Sequence, residues 1–338
     1  MTMAPSPGPP GTFSPTRSAR DPFRAWWNRF VPLNLSDYHL HLHPHGRAYE
    51  WPPLGEYPAG LIESYVEAAA NRGVTELGFT EHLYRTDEGA AVLGRFWEGE
   101  PRRDLRDHTE AMVAVDSGLS LSKYVGAVLD ARDRGLPVKL GLEVDFFASS
   151  IDAVLELLAP YPFDFLIGSV HWVGGWSIDS HEVTFEFDRR GIDQAWDDYF
   201  VLAVDLASRG VVDVLAHIDL PKKFGHQPDT EPLHLYRRVV DAAADSGTSV
   251  EVSSAGLRMP VQTPYPSPVF LKMFFDAGVG ITLASDAHSA ELAGHEHTML
   301  TTYAMAAGYT EHLRFDRRVK KPLPLTWPQG SSQIIAPQ

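Results

Sequence analysis

The chain alternates short apolar runs with longer stretches of helical periodicity, and this alternation constrains the fold more than any other feature. Seven apolar runs have strand length, and a helical pattern follows each of them. Strands that alternate with helices pair in parallel through right-handed crossovers. The predicted strands cover residues 35–39, 75–80, 138–142, 163–169, 212–216, 249–252 and 280–284.

Seven predicted helices complete these units, and the architecture is either a doubly wound sheet or a closed barrel. Several helices end at a glycine, the residue that most readily adopts the left-handed conformation of a helix stop. Residues 84–117 follow the second strand without a clear pattern and are interpreted as an inserted lid or an irregular loop. The predicted helices cover about residues 58–72, 118–134, 149–159, 193–209, 231–246, 267–277 and 289–307, and the predicted stops are Gly73, Gly135, Gly210, Gly247 and Gly278.

Length and composition indicate one large domain between two loose ends. A chain of 338 residues with 44% hydrophobic residues can form a single large barrel, which needs about 250 residues. Both ends are rich in Pro, Gly and Ser. We therefore predict a disordered segment over residues 1–22, a barrel domain over 23–321 and a loose tail over 322–338.

Charge and hydropathy narrow the range of partners. The formal net charge is -15, which argues against a general binding surface for nucleic acid. No segment holds about 18 uninterrupted apolar residues, so we expect no membrane partner. The N terminus lacks the pattern of a signal peptide, and we expect a cytoplasmic protein.

Ionisable residues follow the carboxyl end of every predicted strand. In a parallel β/α barrel these ends meet at one mouth, where functional groups collect. Buried ionisable groups are costly unless they are paired or bound to metal, so this ring predicts a site for several metal ions. The chain has no cysteine, and ligation by His, Asp and Glu suits Zn²⁺, Mn²⁺ or Fe²⁺. The strand-end residues are His39, His41, Glu81, His82, Glu143, Asp145, His171, His217, Asp219, Glu251, Asp286 and His288.

The densest group lies in residues 36–46, which hold four of the 15 histidines. Residues two apart on a strand face the same side, so His39 and His41 present two imidazoles to one metal ion. Asp37 adds a carboxylate on that face and is interpreted as a partner that orients these rings. The alternative interpretation is a polar histidine patch that binds no metal.

Together these motifs resemble the PHP (polymerase and histidinol phosphatase) superfamily, and within it the histidinol-phosphatase group. The likeness runs from about residue 35 to residue 288. The resemblance implies a distorted (β/α)7 TIM-like barrel with parallel strands, which agrees with the seven units, and three divalent metal ions. The motifs in chain order are D-Y-H-L-H, P-H-G, T-E-H, G-L-E-V-D, G-S-V-H-W, L-A-H-I-D, E-V-S-S-A-G-L-R and S-D-A-H.

The family pattern also implies which residues bind each metal. Two metals about 3.5–4 Å apart can bridge a hydroxide that attacks phosphorus in line. In this hypothesis Glu143, His217 and Asp286 are the catalytic residues. The implied ligands are His39, His41, Glu143 and Asp286 for the first metal, Glu143, His171 and His217 for the second, and His45, His82 and His288 for the third.

The third site contains a departure from the family pattern. In related chains the third histidine usually lies some way after H-x-H and just before a glycine. Here the intervening loop is short and holds His43 as well. His45 precedes Gly46, so the hypothesis favours His45. On an extended chain His43 faces the same way, and it is the alternative ligand.

Three further residues are predicted to bind substrate or to orient a metal ligand. Arg258 closes the E-V-S-S-A-G-L-R motif, where the family carries its phosphate-binding arginine, and it would stabilise charge on the phosphoryl oxygens. Asp179, in the loop after the fourth strand, is expected to contact the amine or imidazole of the substrate. Asp219 is expected to orient His217.

The resemblance implies a phosphoric monoester hydrolase that converts L-histidinol phosphate to L-histidinol and phosphate in histidine biosynthesis. One alternative keeps the site and changes the substrate to another small ester, such as a nucleotide or sugar phosphate, or to a phosphodiester. A second is an amidohydrolase-like barrel, which also begins with H-x-H but normally has eight strands and often a carboxylated lysine. Here His171 follows the fourth strand, with no lysine near it. A third alternative is a metal-binding barrel without catalysis.

Overall fold

Parallel strands joined by helices make up most of the structure, as the alternation in the sequence predicts. The computed structural model describes residues 34–46 and 49–326. In chain order its strands are β1 (Leu35–Leu40), β2 (Val74–Phe79), β3 (Val138–Leu140), β4 (Glu143–Asp145), β5 (Ile167–Ser169), β6 (Trp172–Val173), β7 (Trp176–Ser177), β8 (Val214–Leu215), β9 (Ser249–Ser253), β10 (Ile281–Ala284), β11 (Glu311–Asp316) and β12 (Val319–Pro324). In chain order its helices are α1 (Leu61–Ala70), α2 (Asp87–Leu93), α3 (Arg103–Asp116), α4 (Leu121–Asp133), α5 (Ile151–Leu158), α6 (Phe185–Arg190), α7 (Ile192–Arg209), α8 (Leu233–Ser246), α9 (Pro268–Asp276) and α10 (His297–Ala307).

Two parallel sheets close on each other into a barrel with seven strand positions. One sheet has the order β1-β2-β3, and the other has the order β10-β9-β8-β5-β4. β3 and β4 are separated by only two residues and occupy one broken strand position. Single parallel bridges join the sheets, from His82 to Glu143 and from Leu40 to Ala287. The prediction of a distorted (β/α)7 barrel is confirmed.

All seven predicted helices are present, and most of their ends lie within three residues of the predicted ones. The five predicted glycine stops have positive φ angles, from 59° at Gly210 to 91° at Gly135. The last helix is the exception, because it begins at His297 rather than near residue 289. The chain before it passes over β1, where the Gly294 amide donates to the Asp37 carboxylate at 2.8 Å.

Residues 84–117, called the insertion below, are largely helical, and the interpretation as an irregular loop is wrong. They include α2 and α3, with a short 3-10 helix before each. The buried stripe of α3 consists of Leu105, Thr109, Val113 and Asp116. Only two of these four side chains are apolar, so the helical periodicity of hydrophobic residues is too weak to be seen in the sequence.

The structure tests only part of the predicted domain boundaries. β11 and β12 form an antiparallel hairpin that runs to Pro324, three residues past the predicted boundary at residue 321. The predicted disordered segment, residues 1–22, and residues 327–338 of the predicted tail lie outside the described residues. The division into three segments stays a prediction. No helix in the described part of the chain has the length and apolarity that a membrane span requires.

An apolar cluster joins the barrel strands to the C-terminal hairpin. The Tyr38 and Phe165 rings have centroids 4.6 Å apart, and the Phe315 ring lies 5.9 Å from both. The Phe315 amide donates to the Tyr38 hydroxyl at 3.0 Å. The hairpin is therefore part of the barrel core. The cluster consists of Tyr38, Phe165, Ile167, Val214, Ala216, Leu313 and Phe315.

Replacement of Phe315 tests this role of the hairpin. Phe315 is fully buried, so Phe315→Ala should lower the free energy of unfolding by about 3–5 kcal/mol through lost burial and a cavity. The matched control is Val319→Ala on the same hairpin, where the side chain is 59% exposed and the change should be within about 0.5 kcal/mol. Urea unfolding measures both. Equal effects of the two substitutions would contradict the proposed packing.

Candidate metal centre

Glu143, the first residue of β4, lies at the centre of the barrel mouth. Its Oε2 atom is 2.8 Å from His82 Nδ1 and 3.2 Å from His39 Nε2. Its Oε1 atom is 3.2 Å from His217 Nε2 and 3.4 Å from His171 Nε2. Burial opposes ionisation, but the surrounding imidazoles hold the pKa of Glu143 well below its usual range. A carboxylate whose two oxygens face different histidines has the geometry to bridge two metal ions.

The end of β1 and the turn after β10 bring His39, His41 and Asp286 together. The Nε2 atoms of His39 and His41 are 3.0 Å apart, and Asp286 Oδ1 lies 3.6 and 3.5 Å from them. Asp286 has a φ angle of 51°, a left-handed conformation that is strained for aspartate. Such strain concentrates at functional sites, where the surrounding structure maintains it.

His171 and His217 follow β5 and β8 and face the other oxygen of Glu143. Their ring centroids are 5.1 Å apart. His217 is a second predicted ligand with a positive φ angle, 26°. Burial alone would lower the pKa of His171, but the carboxylates of Glu143 and Asp145 outweigh it and raise that pKa to about 9.

The rings of His82 and His288 both lie close to the His41 ring and are 6.0 Å from each other. The His41 ring centroid is 4.3 Å from that of His82 and 4.2 Å from that of His288. The His45 ring is 5.1 Å from His82 and 4.5 Å from His288. Burial holds the pKa of His82 and of His288 well below the usual range. Burial therefore favours the neutral imidazole at both positions, which is the form that binds a metal ion.

The alternative third ligand, His43, is engaged by the protein itself. Its Nδ1 is 3.2 Å from Glu81 Oε1, and its Nε2 is 3.1 Å from the Glu56 carbonyl oxygen. His45 has a side chain that is 47% exposed, and its Nδ1 lies 2.8 Å from Asp116 Oδ2. Its Nε2 is then the nitrogen left for a metal. These contacts favour His45, and the assignment stays a prediction.

Two carboxylates without a predicted role hold predicted ligands in place. Glu251 Oε2 is 2.8 Å from His39 Nδ1, and its Oε1 accepts from the His217 amide at 2.8 Å. Asp145 Oδ1 is 2.8 Å from His171 Nδ1. Such contacts fix the orientation and tautomer of a ligand. Asp145 lies two residues after the central glutamate, and this same-face spacing was a usable signal in the sequence.

Asp37 and Asp219 do not orient the histidine rings, and both predictions are wrong. Asp37 Oδ1 accepts from the Ser285 amide at 2.9 Å and so fixes the turn after β10 to β1. Asp219 Oδ2 accepts from the Ser267 amide at 2.8 Å and pairs with Lys222 Nζ at 2.8 Å. Within the described residues neither carboxylate hydrogen-bonds to a ring nitrogen of a predicted ligand. Backbone amides engage Asp37, whereas a backbone amide and Lys222 engage Asp219 Oδ2.

Two adjoining cavities lie over the cluster of predicted ligands. The inner cavity, of about 170 Å³, is lined by five of the seven predicted histidine ligands, all but His39 and His41, together with Arg258 and Asp286. The outer cavity, of about 600 Å³, is walled by α3 and by residues 179–182. The inner cavity has room for a phosphate group, and the outer one for a larger organic group. Both are lined by His45, His82, His171, Asp179, Lys223 and Met259.

The two predicted substrate contacts, Arg258 and Asp179, both line the inner cavity. Arg258 Nη2 donates to the carbonyl oxygens of Ser285 and Asp286 at 2.8 and 2.9 Å. Its Nη1 is buried and has no hydrogen-bond partner in the described part of the chain. Asp179 Oδ2 is 3.0 Å from Lys223 Nζ. Burial opposes ionisation of Asp179, but Lys223 holds its pKa below the usual range.

The arrangement of donor atoms fits metal ions. His82 Nε2, His217 Nδ1 and His288 Nε2 are buried nitrogens without a hydrogen-bond partner among the described residues. Such atoms are costly unless a ligand engages them. Four trios have one donor atom per residue within 4.8 Å of the others. The trios are His41, His82 and His288; His39, Glu143 and His217; His39, His41 and Asp286; and His82, Glu143 and His171.

The fold and the site define a parallel β/α barrel with a metal-binding group of histidines and carboxylates at its mouth. A family model for the PHP domain matches residues 57–255. A protein named "Probable histidinol-phosphatase" from Deinococcus radiodurans is 31% identical over 254 residues, which cover 75% of this chain and 86% of the relative. The chain therefore belongs to the PHP family, in its histidinol-phosphatase-like group.

A Lactococcus lactis relative provides a structural comparison. The histidinol-phosphatase of that species is 22% identical over 289 residues, which cover 82% of this chain and 93% of the relative. A crystal structure of histidinol phosphate phosphatase from L. lactis was solved with Zn, L-histidinol and phosphate. It matches with a TM-score of 0.62 and 22% identity over 85% of this chain and 99% of that chain. The likeness supports the barrel fold.

Replacement of Glu143 tests whether it is the central metal ligand. Glu143→Gln keeps the shape of the side chain but removes the charge that faces five imidazoles, so the purified variant should hold at least one metal ion fewer per chain. Elemental analysis after dialysis measures the ratio. The control is Glu156→Gln, an exposed glutamate on α5, which should keep the wild-type ratio. An unchanged ratio in a folded Glu143→Gln variant would contradict the assignment.

Proposed function

We propose that the protein is a metal-dependent phosphomonoesterase that hydrolyses L-histidinol phosphate to L-histidinol and phosphate, a reaction of histidine biosynthesis. One observation carries the proposal: six of the nine predicted ligands line one cavity together with Arg258, in a chain whose relatives are histidinol-phosphatases. The other three, His39, His41 and Glu143, lie within 3.6 Å of side chains in that lining. The proposed substrate is small, and the reaction is assigned to the cytoplasm. No nucleic acid or membrane partner is part of the proposal.

Three divalent ions, Zn, Mn or Fe, are assigned to the mouth of the barrel. Bound ions supply Lewis acidity towards phosphoryl oxygens and activate water at neutral pH. Glu143, His217 and Asp286 are the proposed catalytic residues. The proposed ligands are His39, His41, Glu143 and Asp286 for the first ion, Glu143, His171 and His217 for the second, and His45, His82 and His288 for the third.

Arg258 is the proposed phosphate contact. Its Nη2 is held by two carbonyl oxygens, so the planar guanidinium is oriented before substrate binds. Its Nη1 has no hydrogen-bond partner in the described part of the protein, and Arg258 lines the inner cavity. A donor fixed in this way stabilises charge on the phosphoryl oxygens without reorganisation.

Asp179 is the proposed contact for the substrate ammonium group. It lines both cavities, so a substrate whose phosphate occupies the inner one brings its amine near this carboxylate. Lys223 keeps the carboxylate ionised. The imidazole would then occupy the outer cavity, where Trp172 and Met112 line the wall.

The amidohydrolase-like alternative disagrees with the barrel. Such barrels normally have eight strands, whereas this one has seven strand positions. The PHP family match also argues against it. A different small phosphate ester remains the alternative that the following experiments decide.

A panel of phosphate esters tests the substrate. Metal-loaded protein should release phosphate from L-histidinol phosphate with a higher kcat/KM than from phenyl phosphate, a sugar phosphate or a nucleotide. Asp179→Asn should lower kcat/KM for L-histidinol phosphate by about tenfold to a hundredfold, because a charged hydrogen bond is lost. The matched control is phenyl phosphate, which has no ammonium group and should be much less affected. Equal losses on both esters would contradict the role of Asp179.

Replacement of Asp286 tests the catalytic centre. Asp286→Ala removes a proposed metal ligand at the mouth and should lower kcat on the order of a thousandfold, since bound metals supply several kcal/mol of charge stabilisation. Circular dichroism should show an intact fold. Asp276→Ala on α9, where the side chain is 58% exposed, should keep wild-type turnover. Wild-type turnover in Asp286→Ala would rule out the proposed centre.

A further inference from the structure

The insertion holds the loop that carries His45. Arg85 is fully buried, and its Nη1 donates to the His43 carbonyl oxygen at 2.8 Å. Its Nη2 donates to the Pro44 carbonyl oxygen at 2.8 Å, and its Nε donates to the Asp116 carbonyl oxygen at 3.3 Å. One guanidinium therefore ties the loop after β1 to the end of α3.

Asp116, the last residue of α3, receives three donors from around this loop. Its Oδ2 is 2.8 Å from His45 Nδ1, and it accepts from the Tyr84 hydroxyl at 2.8 Å. Its Oδ1 accepts from the Gly46 amide at 2.6 Å. A negative charge at a helix C-terminus is unfavourable to the helix dipole. Helix stability therefore does not account for this aspartate, whereas its contacts with the loop do.

His45 needs such a partner more than the other predicted ligands do. It lies on a loop, and 47% of its side chain is exposed, whereas most of the other predicted ligands are largely buried. Without a second contact, a half-exposed imidazole samples several rotamers. A carboxylate that accepts from Nδ1–H fixes the ring and leaves the Nε2 lone pair for a metal ion.

We propose that Asp116 is a positioning residue for the third metal ion, which it serves by fixing the orientation and tautomer of His45. The inference rests on the third site of the proposed function. The equivalent partners at the other sites, Glu251 and Asp145, belong to barrel strands. The insertion thus completes the third site and, through His108 and Met112 of α3, also walls the outer cavity.

Zinc titration in the presence of a competing chelator tests the inference. Asp116→Ala should raise the dissociation constant of the third Zn²⁺ by about tenfold to a hundredfold, the usual effect of losing such a partner. The dissociation constants of the first two Zn²⁺ ions should be unchanged. Asp116→Asn keeps the shape but not the charge and should give a smaller loss. Asp107→Asn, on the same helix with a 53% exposed side chain, is the matched control and should titrate like wild type.

A double-mutant cycle separates positioning from general damage to the fold. Tyr84→Phe removes one hydrogen-bond donor to Asp116 and, on its own, should raise the dissociation constant of the third Zn²⁺ by a few-fold. In the Asp116→Ala background it should have no further effect, because the interaction it supports is already absent. Additive effects of the two substitutions would overturn the inference. It would also be overturned if Asp116→Ala bound the third Zn²⁺ within twofold of the wild-type affinity.

Titration of the wild-type protein distinguishes this inference from the proposed function. A wild-type chain that binds fewer than three Zn²⁺ ions overturns the third site and the role of Asp116 together. A wild-type chain that binds three Zn²⁺ ions, loses the third in Asp116→Ala and releases no phosphate from L-histidinol phosphate supports the role of Asp116 and overturns the proposed substrate.

Discussion

The buried carboxylate of Glu143, faced by five imidazoles, is the interaction on which the rest of the structure depends. A buried charge is strongly unfavourable unless hydrogen-bonding or oppositely charged partners surround it. Those partners come from β1, β2, β5 and β8, so they meet only when the barrel is closed. The bridge between His82 and Glu143 joins the two sheets at this point. The centre is therefore complete only in the closed barrel.

Apolar packing next to the ligands gives this arrangement its rigidity. Residues next to ligands, such as Tyr38 before His39, pack in the apolar cluster around Phe165. Neighbouring residues on a strand point to opposite faces, so one strand can serve the core and the site at once. Gly141 shows how tight this packing is, because a Cβ atom there would lie 2.4 Å from Phe165 Cζ.

The sequence predicts what depends on local pattern and misses what depends on tertiary contact. The seven strand positions follow from apolar runs, and the positions of the predicted ligands follow from where those runs end. α3 was missed because its buried stripe includes Thr109 and Asp116. Asp145 could have been found from its spacing on β4. The contact between Asp116 and His45 gives no local signal, because 71 residues separate the two and only the folded insertion brings them together.

The difference between residues placed by local pattern and residues placed by tertiary contact explains how the chain accommodates its short loop after H-x-H. On a strand, backbone geometry fixes where a ligand points, so the spacing between ligands cannot change. On a loop, a tertiary contact can take over that function. Here the extra histidine, His43, is bound by Glu81 and a backbone carbonyl, and it anchors the loop from inside. Asp116 holds the ring of His45 from outside. The contacts between loop and insertion therefore hold His45 in place without a longer spacer after H-x-H.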